Sequence, residues 1–559
     1  MEGLEPRCLL AAAPAIGSFA LSHDSIVPGD QLEIVFDNVT APGGAEVTGI
    51  TIYRDTNGNR LRDDGDEVFG AATQDLMSPG SWTFTKLIED GVAVGEVTLL
   101  AVPIDSNNNE GEGVAMGADF QFRIFYPEGW RNDTTINEYV PMVNPNGFDV
   151  EFRVVARYET GERDAVIAEG TIPARSRGGI TVSEYSNPGN AVVRLNEGYA
   201  LEIQSSAYIG ATLSHYDSFT GQPGTGAAVG ESFSNTTSRE WFFADVSNVN
   251  SDFIVFYNPF EVELNLNVTF YDEQQVEHTV PWVVGPLRRS GIALSNPELG
   301  LPANSHFGVF ITSADNQQFV AALSSYSNTS DIGYSSLGQT LGVTVFPLVE
   351  FRESTDNRLA LFNPATEAID VTVRYVFINS AQAPTEVTYN LAARERQTID
   401  LDALRPDDAE AVSLRVVGGY VQVTSVDESR GDSLQATGAS TAYDTWTFGD
   451  GFLDSNTAGT VGFESLGIYN PSLTPQEVQV RFFFTDGTIG DTFVTVGGRE
   501  SGQVRLDQES QILNHGQLNF YSIAVYGQTP VVASMVHWDL FQGGGWSSLG
   551  TPGGNSGAA

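Results

Sequence analysis

The chain has 559 residues, with 71 Asp and Glu against 27 Lys and Arg, for a formal net charge of -44. That balance argues against nucleic acid, whose phosphates need clustered cations, and against adsorption to anionic lipid. With 41% hydrophobic residues, 58 Gly and 33 Phe, disorder is excluded, and the length is too great for one core. The composition is that of many short strands joined by turns.

Residues 1–13 form a short leading segment, "MEGLEPRCLLAAA", read as an export or sorting segment. It lacks the basic stretch of a secretory signal. Leu4, Glu5, Pro6, Arg7, Leu9 and Leu10 nevertheless resemble the LEPRxLL motif near the N-terminus of large exported proteins of planctomycete bacteria. The resemblance implies an extracellular or cell-surface location. Cys8 is the single cysteine, so no internal disulfide and no cysteine metal site is expected. It follows "LEPR" rather than the small residues of a lipoprotein cleavage site. No apolar run in the chain has the length of a membrane span.

Residues 14–124 alternate apolar and polar positions in "QLEIVFDNV", "VTGITIYRD", "SWTFTKLI", "GEVTLLAVP" and "DFQFRIF". Period two without helical period predicts an immunoglobulin-like β-sandwich. The stretch from Ile50 to Gly70, with "SWTFT" and "AVPIDSNNN", also resembles Ig-like modules repeated in planctomycete surface proteins.

Between two of these strands runs "DTNGNRLRDDGDE", residues 55–67. Counted from Asp55, Asn57 is third, Asn59 fifth, Leu61 seventh, Asp63 ninth and Asp66 twelfth, with Glu67 adjacent. A twelve-residue calcium loop places oxygen ligands at these positions, the seventh through a backbone carbonyl. Arg60 stands sixth, where glycine is usual, and Asp66 is shorter than the usual Glu. Calcium is the cofactor this loop predicts; a solvated acidic hairpin tip is the plain alternative. A second acidic loop, "DSNNNEGE" at 105–112, would add ligands if it lay at the same end of the sandwich.

The rest of the chain repeats. Asn-Pro ends an apolar strand at Asn144, Asn258, Asn363 and Asn470, at spacings of 114, 105 and 107 residues. An alternating strand follows each pair, and an arginine-containing turn follows about thirty residues on ("ARSRGG", "LRRSG", "ARERQ", "GRESG"). Two tails nearly coincide, "GYSSLG" from Gly333 and "GWSSLG" from Gly545. Four homologous β units are predicted, at 125–239, 240–342, 343–444 and 445–552, with a flexible Gly/Ser tail at 553–559. The Asn-Pro pairs and the turn arginines read as structural punctuation: proline stops a ladder and asparagine tolerates the turn. The repeats look similar to those of other bacterial cell-surface proteins.

Chemistry is sparse. "GDSL" at Gly431–Leu434 resembles the serine block of a lipase family, but no Asp-x-x-His partner exists, so Ser433 reads as a turn serine. The six histidines are scattered, and His215 and His537 hold matched repeat positions that suggest packing. Asn38, Asn132, Asn235, Asn267 and Asn328 head glycosylation triplets. The expectation is a non-enzymatic, acidic surface protein of tandem β-sandwiches in series. It would be stiffened by calcium, and would associate with itself or with similar surface proteins into a fibre or layer. The alternative is an adhesin binding surface glycans through Trp130, Trp241, Trp446 and Trp546.

Overall fold

The computed structural model describes residues 13–22, 25–26, 30–75, 78–88, 95–132, 135–161, 164–186, 192–217, 227–327, 332–340, 342–427, 432–454, 463–515, 518–538 and 545–558. The leading segment 1–12, with its LEPRxLL-like motif and Cys8, lies outside the described residues, as does Asn328. The described chain is nearly all antiparallel β, in tandem β-sandwiches. It divides into two compact units, Met1–Arg123 and Ile124–Ala559.

In the first unit, Ser18–Leu21, Gln31–Asp37 and Trp82–Leu87 form one layer; Val47–Arg54, Gly95–Asp105 and Val114–Phe120 form the other. Glu67–Gln74 belongs to both, pairing Val47–Arg54 along most of its length and Trp82–Leu87 through Thr73 and Gln74. The alternation of "QLEIVFD" turns Leu32, Ile34 and Phe36 inward against Ile52, Phe84, Leu99 and Phe120. Burying each such side chain contributes roughly 1.5–3 kcal/mol.

The second unit uses one topology four times. In each repeat the Asn-Pro strand lies between the turn-arginine strand and a late strand, and that late strand pairs with the repeat's closing strand. In the second repeat these are Ser251–Tyr257, Arg289–Ala293, Val320–Tyr326 and Gly333–Leu337. The other sheet joins Glu240–Ser247, His306–Ser313, Leu264–Tyr271 and Glu277–Val284. In the fourth repeat one strand, Leu518–Trp538, serves both layers.

The four asparagines do more than end a strand. Each is fully buried. The Nδ2 groups of Asn144, Asn258, Asn363 and Asn470 donate to the carbonyls of Phe148, Val262, Glu367 and Thr474 at 2.7–2.8 Å. They also reach the arginine turn, at Pro173, Gly285, Ala392 and Gly497. Each Oδ1 accepts the amide two residues on. One fully buried amide side chain thus ties three backbone segments. The turns place Arg175, Leu287, Arg394 and Arg499 at φ of +51° to +61°.

Two boundaries differ from the sequence reading. The position 444/445 falls inside Thr441–Phe448, whose partners are Leu518–Trp538 and Thr551–Ala558 of the fourth repeat. The tail from 553 is a strand rather than a flexible end: Thr551–Ala558 pairs Thr441–Phe448, Ala558 lying opposite Thr441. A β-carbon on Gly553 would sit 2.5 Å from the Tyr208 ring, so only glycine lets this strand pass.

The largest departure is closure. Units in series need not touch beyond their neighbours, yet the fourth repeat returns to the first. Repeats one and two are joined by Arg289 with Glu159 and Arg288 with Asp164, both at 2.5 Å, and by Tyr257 with Glu202 at 2.5 Å. Repeats two and three share a cluster of Phe242, Tyr271, Ala360, Phe362 and Tyr420, with Arg396 on Asp245 at 2.7 Å. Repeats three and four share Leu348, Ile378, Leu434, Val536 and Trp538. Repeats four and one meet through Val143, Phe483 and Ala524, with Tyr208 on Thr447 at 2.8 Å and on the Thr551 carbonyl at 2.7 Å. The four closing strands, Ala227–Ser232, Gly333–Leu337, Asp432–Ala436 and Gly545–Leu549, gather on one axis.

Candidate functional site

The acidic loop follows directly on Val47–Arg54. The Asp55 amide donates to the Thr98 carbonyl at 2.9 Å, which fixes the loop at that end of the sheet. Asp55 Oδ1 accepts from the Gly58 amide and Oδ2 from the Arg60 amide, both at 2.7 Å. Asp66 turns inward from the other side, accepting from the Thr56 and Asp63 amides at 3.2 and 2.9 Å. Both carboxylates are 8% exposed. Asp63 accepts from the side-chain amides of Asn57 at 2.6 Å and Asn59 at 3.1 Å. The Gly65 amide and then Asn57 hold its carboxyl below the usual range. Arg60 takes φ +61°, the left-handed conformation usually given to glycine at the sixth loop position.

So the structure brings together Asp55, Asn57, Asn59, Asp63 and Asp66. The Leu61 side chain is exposed and its amide donates to Asn59 Oδ1 at 2.8 Å. Glu67 is not in the cluster: it begins the next strand and faces Arg54 at 4.0 Å. The loop from Asp105 folds on its own carboxylate, which accepts from the Asn107 and Asn109 amides at 2.8 and 2.9 Å. Asp105 pairs with Val47, at the opposite end of the strand that Asp55 follows. Thr98 to Asp105 spans about 23 Å of strand, so the two carboxylates cannot share an ion. Among the described residues, no three His, Cys, Asp or Glu side chains form a preformed metal group. The donor set of the first loop, two inward carboxylates with amides and carbonyls, is the hard-oxygen chemistry that suits calcium.

The axis of the ring is polar. Ser232 meets Ser548 at 3.3 Å, Ser336 bonds Gln435, and Ser433 donates to the Gly333 carbonyl at 3.0 Å. Ser433 is therefore a fully buried strand residue rather than a turn serine, because its block is the third copy of the axial strand. A cavity of about 270 Å³ sits on this axis, lined by Glu231, Trp241, Thr437 and Trp446 among others. Burial pushes the Glu231 carboxyl up to about 8, although Thr437 donates to it at 2.7 Å. Among the described residues lining it there is no histidine, cysteine or lysine.

The matched histidines have a partner that sequence inspection missed. His215 Nδ1 lies 2.8 Å from Glu138 and His537 Nδ1 2.7 Å from Glu464, with Tyr199 and Tyr521 on the same carboxylates. Burial raises both tyrosine hydroxyls well above their ordinary pKa. The same register holds Asp252 opposite Ser325 and Asn357 opposite Ser425. The signal was a fixed offset: each of Glu138, Asp252, Asn357 and Glu464 stands six residues before its Asn-Pro asparagine. Of the proposed aromatic platforms, Trp241, Trp446 and Trp546 are core residues and Trp130 is half-buried.

No family model matches the chain, and no curated protein matches it. Among solved structures, it is similar to a tetra-tandem repeat in the extending region of a large adhesion protein. That match is 11% identical, covers 97% of this chain and 98% of that one, and has a TM-score of 0.14. It is also similar to the native conformation of E. coli alpha-2-macroglobulin, 9% identical over 97% of this chain and 47% of that one, again at a TM-score of 0.14. No helix among the described residues is long and apolar enough to cross a membrane.

Proposed function

We propose that the chain is a non-enzymatic surface protein that works by adhesion, with a calcium-stiffened first sandwich and the four-repeat ring as its binding body. Ring closure is the observation that supports adhesion over an open fibre. The faces that serial repeats would offer to further copies are used within the chain, where Tyr208, Thr447 and Thr551 join the ends. A rigid closed body suits a surface that must be held in one arrangement for a partner. Calcium would be held by Asp55, Asn57, Asn59, Asp63 and Asp66 with the Leu61 carbonyl. Bound there, it would neutralise the loop's carboxylates and fix the connection between two strands.

Self-association is the second reading. Among the described strands, Glu277–Val284 and Thr385–Leu391 each pair on one side only, so they are sheet edges that a strand from another chain can extend. Two measurements on the full chain separate these readings. Labelling of intact producing cells tests display, and light scattering across a calcium series tests self-association. A monomer that labels at the surface and retains cells on a coated plate supports adhesion. Calcium-dependent polymers that retain no cells support the second reading.

A further inference from the structure

Where the fourth repeat closes on the first, an open groove of about 770 Å³ crosses the junction. Its volume is that of a ligand site. Tyr139 and Phe520 line it and are 40% and 45% exposed; Phe148 and Phe493 of the ring are more exposed still but do not line the groove, whereas these two sit together within it. Both rings are braced. Tyr139 meets Tyr216 edge to face at 6.1 Å, and Phe520 lies 4.6 Å from Phe452. Beside them Arg177 faces Asp450 at 3.4 Å, and Asp450 also accepts from Ser214 at 2.5 Å. The guanidinium is 16% exposed, and its Nε–H is shut from solvent with no hydrogen-bond partner. The cation is held by that long ion pair and by the Phe520 ring, whose centroid lies 5.6 Å away, and the exposed part of the guanidinium keeps donors for an acceptor in the groove.

We propose that this groove binds a short neutral oligosaccharide, its sugar rings stacking on Tyr139 and Phe520 and its hydroxyls bonding Arg177 and Asp450. The apolar C–H face of a pyranose matches an exposed aromatic face, while its rim supplies both donors and acceptors. A guanidinium and a carboxylate side by side serve both and cancel in charge. The chain's net charge of -44 repels a polyanionic glycan. The site names the partner class for the adhesion reading above and rests on it.

The test uses the full chain and its Tyr139→Ala, Phe520→Ala and Phe520→Tyr variants. Each is titrated calorimetrically with neutral gluco-, manno- and xylo-oligosaccharides and with a uronic-acid oligosaccharide, beside a cell-retention assay and a melting curve. The expected result is that a neutral oligosaccharide binds the wild type. Both alanine variants should lose at least tenfold in affinity with unchanged melting, and Phe520→Tyr should retain binding. Binding of the uronic-acid oligosaccharide alone overturns the proposal. So does cell retention that both alanine variants keep in full, which leaves adhesion standing and moves it elsewhere. A wild type that binds no oligosaccharide and retains no cells overturns both.

Discussion

Replacing Asn363 with alanine removes a fully buried side chain that holds three backbone segments together. Its Nδ2 donates to Glu367 O at 2.8 Å and Ala392 O at 2.7 Å, and its Oδ1 accepts from Ala365 N at 2.9 Å. Alanine leaves one half-buried donor and two half-buried carbonyls short of a partner, each costing up to about 1–3 kcal/mol where water does not take the asparagine's place. The carbonyls can relax toward other donors, so the net loss should be about 3–5 kcal/mol. Asn363→Asp keeps the shape but sets an acceptor against those two carbonyls. Its carboxyl should have a raised pKa in the fold, so the native state binds more protons than the unfolded one. The penalty should therefore be smallest below about pH 4 and grow as pH rises through the unfolded value. Denaturant unfolding and amide exchange over 359–369 and 389–399 read both effects. A loss under about 1 kcal/mol for Asn363→Ala, or an Asp variant indifferent to pH, would refute the tie.

Calcium at roughly a hundredfold above its Kd should stabilise the first sandwich by about 2.7 kcal/mol, and Asp55→Ala should abolish the gain; identical melting of the wild type in calcium and in chelator would reduce the loop to a turn. Glu231, pushed by burial up to about 8, holds its proton in the fold where the unfolded chain has lost it. Its contribution to stability should thus fall between about pH 4.5 and pH 8 and level off above, and Glu231→Gln should remove that part of the slope. Parallel pH–melting curves for the two proteins would count against a neutral buried carboxyl. Ser433→Ala should abolish no esterase turnover, because Ser433 lies in an axial strand with its hydroxyl on the Gly333 carbonyl at 3.0 Å; an ester hydrolysis lost in this variant would end the non-enzymatic account. Gly467→Val should open the third junction, since a β-carbon there would already meet Leu348 at 2.4 Å, and a melting temperature equal to wild type would show the junction to be slack.

The strands and the four repeats could be read from the sequence because they rest on local pattern: period-two burial, and the Asn-Pro anchors at near-constant spacing. The use made of those anchors could not, because the carbonyls of Ile172 and Pro173 that Asn144 reaches carry no side-chain signature. Closure was equally hidden. Tyr208 and Thr447 are 239 residues apart, and nothing local marks two residues that meet only when four sandwiches turn through a full circle. Trp241 and Trp446 looked like platforms because tryptophan is amphipathic. Each instead donates its indole N–H to a backbone carbonyl, of Phe319 and Val531, inside a core. The groove aromatics, Tyr139 and Phe520, sit in ordinary strands and stand out only through the junction they border. In the calcium-type loop the ligand spacing was legible, while the outward turn of Glu67 depended on where the next strand begins.

The closed ring is the claim on which the adhesion account turns, and a disulfide tests it directly. Ser232 of the first repeat and Ser548 of the fourth have hydroxyls 3.3 Å apart on the axis, within reach of a disulfide between cysteines placed there. In a Cys8→Ser background, Ser232→Cys with Ser548→Cys should form an intramolecular bond on mild oxidation. The bond would close a loop of about 300 residues and speed the denatured chain on a non-reducing gel. Two thiols that stay reduced, or that form only intermolecular bonds, would mean the repeats lie open in series.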